Sequence, residues 1–360
     1  MNRDEIVKKF LDKKKLLTQA ALEAIHGKNL DDFLGKEYVS LVLEERDFFV
    51  HDVKILKNLT EKLNEITTDD FVKFYKSKYE RMREIILSRM KKDFVSLNKL
   101  DNFRNEVFVL GIAREIKENG DKKIVEFEDL TATKPIIFDD ISDLELDDVV
   151  AIKAISAGNV LYGKGIFYPD IPLREPVKGM DKACFISDMH LEEAPLSGAE
   201  DFFKWFSNQA IKYLFVAGDV GDREKFEKLV NEYCIGKSVF STPGCGAEYP
   251  GLPEKFESKH ITSLSNPAMV EINGIKILLV HSLNLNMLKK RYLGKSKIIL
   301  PEDYLVLDYV PDIVHYGHNH EAQVTNYKSV TLVNSGSLLT DFKPVVIDFA
   351  TREVEQIKIA

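Results

Sequence analysis

The sequence predicts a multidomain α/β protein of the α+β kind: an N-terminal helical module, then a small β-barrel, then a layered C-terminal α/β domain. Three observations carry this expectation. Apolar residues recur at three- and four-residue spacings through much of residues 4–90, the period of helices that bury one face. Between 101 and 176 they fall instead into short β-prone runs separated by acidic or Gly-containing turns. Beyond Met180, apolar β runs alternate with helical stretches, which points to stacked α/β layers. A chain of 360 residues, 44% apolar, is long enough for two or three domains that each bury a core. The boundaries are expected at 1–68 for the helical module, 69–100 for a linking helix, 101–176 for the barrel and 177–360 for the α/β domain.

In chain order, Ile6, Val7, Phe10 and Leu11, followed by Ala21, Leu22 and Ile25, predict a helical hairpin over Asp4 to Gly27, with Thr18 as N-cap and Gly27 as terminator of the second helix. "YVSLVLEE" (38–45) is read as closing this helical module. Asn58 to Thr68 then leads to a long helix from about Asp69, with Phe71, Phe74, Tyr75, Tyr79, Met82, Ile86 and Met90 mostly on one side. In "EVFVLGIAREIKENGDKKIVEFEDLT" two β runs flank Asn119-Gly120, a dipeptide that favours a tight hairpin turn. "KPIIF", "DVVAIKAISAG" and "VLYGKGIFY" add further short strands, and several of these in about seventy residues suggest a barrel of the OB type. No aromatic ladder marks it as a single-strand binder.

Charge and cysteine usage exclude several function classes. A net charge of -8 argues against a surface that binds polyanions throughout. The densest basic stretch, "KFYKSKYERMREIILSRMKK" (73–92), reads as the solvated face of a helix. The three cysteines, Cys184, Cys234 and Cys245, form no C-x-x-C pair, so neither a disulfide framework nor a cysteine-rich zinc cluster is suggested. No apolar run approaches the length that crosses a bilayer, and the charged start "MNRDEIVKKF" does not read as a leader, so a cytoplasmic location without a membrane partner is expected.

Each apolar run of the last domain ends in polar chemistry. "ACFIS" leads to Asp188-Met189-His190, "YLFVAG" to Gly218-Asp219-Val220-Gly221-Asp222, "IKILLV" to His281 and "DIVHYG" to His318-Asn319-His320. Ligands of layered α/β folds gather beyond the carboxyl ends of strands, so these residues can converge although far apart in sequence. A D-x-H, a G-D-x-x-D, a strand-ending His and a G-H-x-H, in this order, point to a site for two divalent cations. Such a pair neutralises a phosphodiester and activates a water for attack on it. Asp219 is the candidate bridge, because one carboxylate can offer an oxygen to both ions. Asp188, His190 and His320 would complete one position, and His281 and His318 belong to the other. Mixed imidazole and carboxylate donors suit manganese, iron or zinc. Asp222 is read either as a supporting carboxylate that orients His190 or the bridging loop, or as a helix start. His315, inside its strand, reads as a packed imidazole. His26, His51 and His260 fall outside the motif order and read as surface or cap residues.

These motifs identify the C-terminal half as similar to the calcineurin-like metallophosphoesterases. The whole chain resembles the small subunit of the archaeal D-family DNA polymerase, through "DFVKFYKSKYERMREIILSR", "LSNPAMVEINGIKILLVH", "PEDYLVLDYVPDIVHYGH" and "VTLVNSGS". The resemblance implies an OB barrel joined to a phosphoesterase domain, 3′-to-5′ exonuclease proofreading of a DNA 3′ end with manganese, and pairing with a large polymerising subunit. The sliding clamp is carried as a further candidate partner, although no convincing Gln-containing hydrophobic peptide for it is found. The family also places a G-N-H-D type turn after the third strand, with an Asn that ligates the second metal and a His that acts as proton donor. Here the loop reads "PGCGAE": Gly244 is kept, but Cys245, Gly246 and Ala247 follow. The family's general-acid position is thus Gly246, and loss of a positioned acid costs on the order of 10² to 10⁴ in rate. Proofreading is therefore expected to be impaired. Cys245 remains a candidate metal ligand as thiolate, a soft donor that favours zinc, and Glu248 a substitute acid. The other two readings are a self-sufficient manganese-dependent exonuclease or phosphodiesterase, and a purely structural subunit.

Overall fold

The computed structural model describes residues 3–26, 30–34, 41–43, 53–62, 65–100, 104–141, 143–245 and 249–359. They fall into two compact units, one of residues 1–54 with 271–274 and one of the remainder.

In the smaller unit, α1 (Arg3–Asp12), β1 (Leu16–Leu17), α2 (Gln19–Ile25), α3 (Asp31–Leu34) and β2 (Val42–Leu43) enclose Ile6, Phe10, Ala21, Ile25, Leu30, Phe33 and Leu43. Thr18 caps α2 as expected, its side-chain oxygen accepting from the Ala21 N–H, whereas Gly27 lies outside the described residues. His26 forms the C-cap of α2, and His51 lies outside the described residues. Two expectations are corrected. The helices are separated by β1, so they do not form a simple hairpin. Within 38–45, the described Val42–Leu43 is no helix but a strand parallel to β1, pairing Leu16 with Val42 and Leu17 with Leu43. Two consecutive β-capable apolar residues follow the tertiary partner at hand, because propensity over so short a run is weak.

β3 (Val53–Lys57), whose residues from Ile55 on belong to the larger unit, precedes α4 (Thr68–Arg89), which starts at a capping box between Thr67 and Asp70. Its Phe74, Tyr79, Met82 and Ile86 are buried, while Phe71 and Tyr75 of the same stripe are exposed. Strands β4 (Glu106–Asn119), β5 (Lys122–Glu128), β6 (Thr133–Phe138), β7 (Val149–Ala157) and β8 (Val160–Phe167) close a barrel in the order β4-β5-β6-β8-β7. β4 and β5 meet at the expected hairpin, where Gly120 takes a φ of 61° that an L side chain would resist.

The C-terminal domain is a sandwich of two mixed sheets. Its elements are β9 (Lys182–Ile186), α5 (Leu196–Ser207), β10 (Tyr213–Ala217), α6 (Arg223–Tyr233), β11 (Ser238–Thr242), β12 (Ile261–Ser263), β13 (Ala268–Ile272), β14 (Ile275–Leu279), α7 (Leu285–Lys290), β15 (Ile313–Tyr316), β16 (Ala322–Tyr327), β17 (Val330–Ser335), β18 (Val345–Asp348) and β19 (Val354–Gln356). One sheet runs β12-β11-β10-β9-β18-β19, and the other runs β16-β17-β15-β14-β13 with β3 at its edge. Strands β9 to β12 run parallel to one another, as do β14, β15 and β17, so all of these carboxyl ends point the same way within each sheet. Parallel strands buried on both faces must be apolar on both, which is why the runs read as continuous rather than alternating. On one face of the first sheet, Cys184, Ile186, Leu214, Val216 and Val239 pack with Phe202, Phe203 and Phe206 of α5 and Phe226 of α6. On the other face, Phe185, Phe215 and Phe240 stack in a row with ring centroids 5.3 and 5.0 Å apart.

His315 lies edge-on to Phe185 in this interior, fully buried, with its ring nitrogens near the carbonyls of Ile186 at 2.7 Å and Val333 at 3.2 Å. It is the packed imidazole that the sequence suggests. Burial pushes its pKa down from 6.5 to about 4, against the upward pull of those carbonyls. The folded state therefore holds His315 neutral where the unfolded chain takes up a proton, and stability falls as pH drops below 6.5. A loss of about 2 kcal/mol by about pH 5 is expected from this group. Urea denaturation across that interval tests it: the slope with pH should flatten in His315→Gln, and an unchanged slope would refute the assignment. Among the described residues no helix is long and apolar enough to cross a membrane.

Candidate metal centre

The strand ends deliver the candidate ligands to one place. Asp188 and His190 follow β9, Asp219 follows β10, Cys245 follows β11, His281 follows β14, and His318 and His320 follow β15. Asp188, His190, Asp219, His318 and His320 all hold left-handed backbone, with φ of 51°, 44°, 47°, 75° and 56°. Each such residue costs of order 1–3 kcal/mol and persists only where its surroundings fix it, a hallmark of functional sites.

Ligand atoms of Asp188, His190 and His320 lie within 4.8 Å of one another, as do those of Asp188, Asp219 and His281 and those of Cys245, His281 and His318. His190 Nε2 and His320 Nε2 face each other at 3.2 Å, and His320 Nε2 is 3.5 Å from Asp188 Oδ1. His281 Nδ1 donates to the Ala217 carbonyl at 2.9 Å, and its Nε2 faces Asp219 Oδ2, 3.1 Å away, and Cys245 Sγ, 3.3 Å away. Cys245 Sγ also lies 3.0 Å from His318 Nδ1. Imidazole nitrogens, carboxylate oxygens and a thiol sulfur converge here, and this donor chemistry fits divalent cations.

The surrounding backbone leaves no slack. A Cβ on Gly244 would lie 1.7 Å from Asp219 Oδ1, and one on Gly317 would lie 2.2 Å from Asp188 Oδ2. Those glycines let the two carboxylates sit against the chain, where Asp219 Oδ1 accepts the Cys245 N–H at 2.9 Å and Asp188 accepts the His318 N–H at 3.1 Å.

Charges follow from this packing. Burial pushes Asp219 up, but the hydrogen bond and charge of His281 and the Cys245 N–H outweigh it, and the carboxyl is held well below its usual range. Asp188 is raised, because its burial exceeds the help from Ser187 and the nearby imidazoles. For His281, burial is outweighed by Asp219 and the Ala217 carbonyl, so it is raised. Partial burial and the Asp219 charge push the Cys245 thiol up to about 11.

The structure thus brings together all six His and Asp residues singled out in the sequence and adds Cys245 to them; Gly246 and Glu248 lie outside the described residues. Asp222 takes the helix-start role: it is the N-cap of α6 and accepts the Lys225 N–H at 3.1 Å. The carboxylate beside His190 is instead Glu192, 3.4 Å from Nδ1, which leaves Nε2 free to face the site. Its signal was present in the sequence as an acid two residues after the D-x-H motif. Asn334 is buried and donates to the Gly317 carbonyl at 3.3 Å, holding the loop that carries His318 and His320. Cys184 and Cys234 are buried in the core, as inert thiols should be.

A two-sheet sandwich with Asp and His side chains gathered at its strand ends defines a phosphoesterase-type domain, and residues 182–356 match the calcineurin-like phosphoesterase superfamily domain. The C-terminal half of the chain is a calcineurin-like phosphoesterase domain. Along most of its length the chain is similar to proteins named DNA polymerase II small subunit. It is 25% identical to that of Archaeoglobus fulgidus, across 79% of this chain and 74% of the relative. It is 24% identical to that of Methanothermobacter thermautotrophicus, across 85% and 80%. It is 26% identical to that of Pyrococcus furiosus, across 86% of this chain but 65% of the relative.

Proposed function

We propose that this chain is the small subunit of a heterodimeric D-family DNA polymerase, pairing with a large polymerising subunit and presenting a metal-dependent phosphodiesterase site to a DNA 3′ end. The single observation that carries this reading is the joint one: similarity to polymerase small subunits over about four fifths of the chain, with the strand-end donors of the phosphoesterase domain gathered in one pocket. The assignment takes 1–68 as a helical module, 69–100 as a linking helix, 101–176 as an OB-type barrel and 177–360 as the phosphoesterase domain.

In this reading Asp188, His190 and His320 hold one divalent ion, His281 and His318 serve the second, and Asp219 serves both, with manganese the ion for catalysis. When bound, such ions neutralise a phosphodiester and favour attack by water. The chain's own part is positioning. Glu192 fixes the His190 ring, the Ala217 carbonyl fixes His281, and the Gly244 and Gly317 turns press the two carboxylates into place. Gly246 supplies no proton, so 3′-to-5′ proofreading is slow, and the subunit's weight shifts towards supporting the polymerase. Cys245 favours that reduced role over a self-sufficient nuclease.

Mixing with a D-family large subunit tests the assignment. A stable complex in size-exclusion chromatography is expected, and manganese-dependent degradation of a single-stranded 3′ end should be weak for both the isolated chain and the complex. Absence of a complex would remove the subunit assignment; rapid degradation by the chain alone would favour the nuclease.

A further inference from the structure

We infer that Cys245, His281, His318 and Asp219 form a zinc-selective position, so that the two metal positions of this pocket differ in the ion they take. The inference rests on the metal-site reading above and goes beyond it in assigning a thiolate ligand and an ion to one position. Three of the four donors, Cys245 Sγ, His281 Nε2 and His318 Nδ1, lie within 4.8 Å of one another, with separations from sulfur of 3.3 and 3.0 Å. Tetrahedral zinc with Zn–S of about 2.3 Å and Zn–N of about 2.0–2.1 Å sets its S and N ligands roughly 3.5 Å apart, so modest spreading around an ion satisfies the geometry. The fourth donor, Asp219 Oδ2, is 3.1 Å from His281 Nε2, and the same carboxylate anchors the loop by accepting the Cys245 N–H.

The chemistry of the set selects the ion. A thiolate is soft and suits zinc, whereas Asp188, His190 and His320 offer no sulfur, and their hard carboxylate with two borderline imidazoles admits manganese as well. Binding at the sulfur displaces the thiol proton to solvent, since the ligand form of cysteine is the thiolate. Four protein donors also close a tetrahedral sphere and leave no vacancy for water or substrate, the pattern of a structural zinc rather than a catalytic one. The zinc position therefore locks the Cys245 loop to the β14 and β15 loops, and the harder ion on the other side is the exchangeable one.

Loading the full-length protein with Co(II), as a spectroscopic stand-in for zinc, tests this. A thiolate-to-cobalt charge-transfer band with intense tetrahedral ligand-field absorption is expected, and it should vanish in Cys245→Ser. By native mass spectrometry the protein should retain one zinc against manganese, and Cys245→Ser should weaken that zinc by more than roughly 100-fold, since loss of a mere supporting partner already costs 10–100-fold. Cys245→Asn should bring the position over to manganese. Cobalt bound without the thiolate band, or equal zinc affinity in Cys245→Ser, would overturn the inference while leaving the metal centre standing. A protein that binds neither zinc, cobalt nor manganese would overturn both.

Discussion

Asp219→Asn should strip both ions from the pocket while leaving the fold intact. The carboxylate sits between the two donor groups, 3.1 Å from His281 Nε2 and hydrogen-bonded to the Cys245 N–H, and it is held ionised by those neighbours. Asparagine keeps the shape and the Oδ1 acceptor, so the Gly244 turn can close over it as before, but it removes the charge that two cations would share. Losing a supporting residue outside the ligand shell typically costs 10–100-fold in metal affinity, so loss of a shared ligand should exceed about 100-fold at both positions. Metal stoichiometry by native mass spectrometry, with circular dichroism as control for folding, decides the matter. Two ions retained at wild-type affinity would show that Asp219 is not a shared ligand.

The second large effect is on stability. Phe185 is fully buried between the sheets, stacked on Phe215 at 5.3 Å and edge-on to His315 at 5.3 Å. Phe185→Ala removes a ring from a fully buried position, and such truncations cost about 3–5 kcal/mol. The single tryptophan, Trp205, packs against the core of the same sheet on α5, so its fluorescence reports unfolding in urea directly. Because Asp188 hangs from the end of β9, the same variant should also bind metal less tightly. A destabilisation below about 1 kcal/mol would mean that the row of rings is not the keystone of the sandwich.

Much of this architecture was legible in the sequence. The barrel strands announced themselves through β-prone runs around Asn119-Gly120, and the long helix through its apolar stripe from about Asp69, whereas the Thr67/Asp70 capping box that starts it is seen only in the structure. The D-x-H, G-D-x-x-D and G-H-x-H motifs named their residues because an αL turn after a buried strand is a local feature, written in consecutive positions. The short β1–β2 pairing was not legible, since two-residue strands exist only through a partner some twenty-five residues away. The acid two residues after the D-x-H motif was visible at His190, but its choice over Asp222 was not. Asp222 and Glu192 are both acids near the motif residues, and only the fold shows that one is spent capping α6 while the other reaches the imidazole.

The sequence by itself determined the order of elements, the apolar interiors of the parallel strands and the inventory of Asp, His and Cys side chains at their ends. These are matters of local period and residue type. The tertiary structure alone decided that Cys245 Sγ meets His281 and His318, because loops separated by tens of residues approach only through the strand order of two packed sheets. That meeting turns the departure in the PGCGAE loop from a missing amide into a donor set with its own preference for an ion.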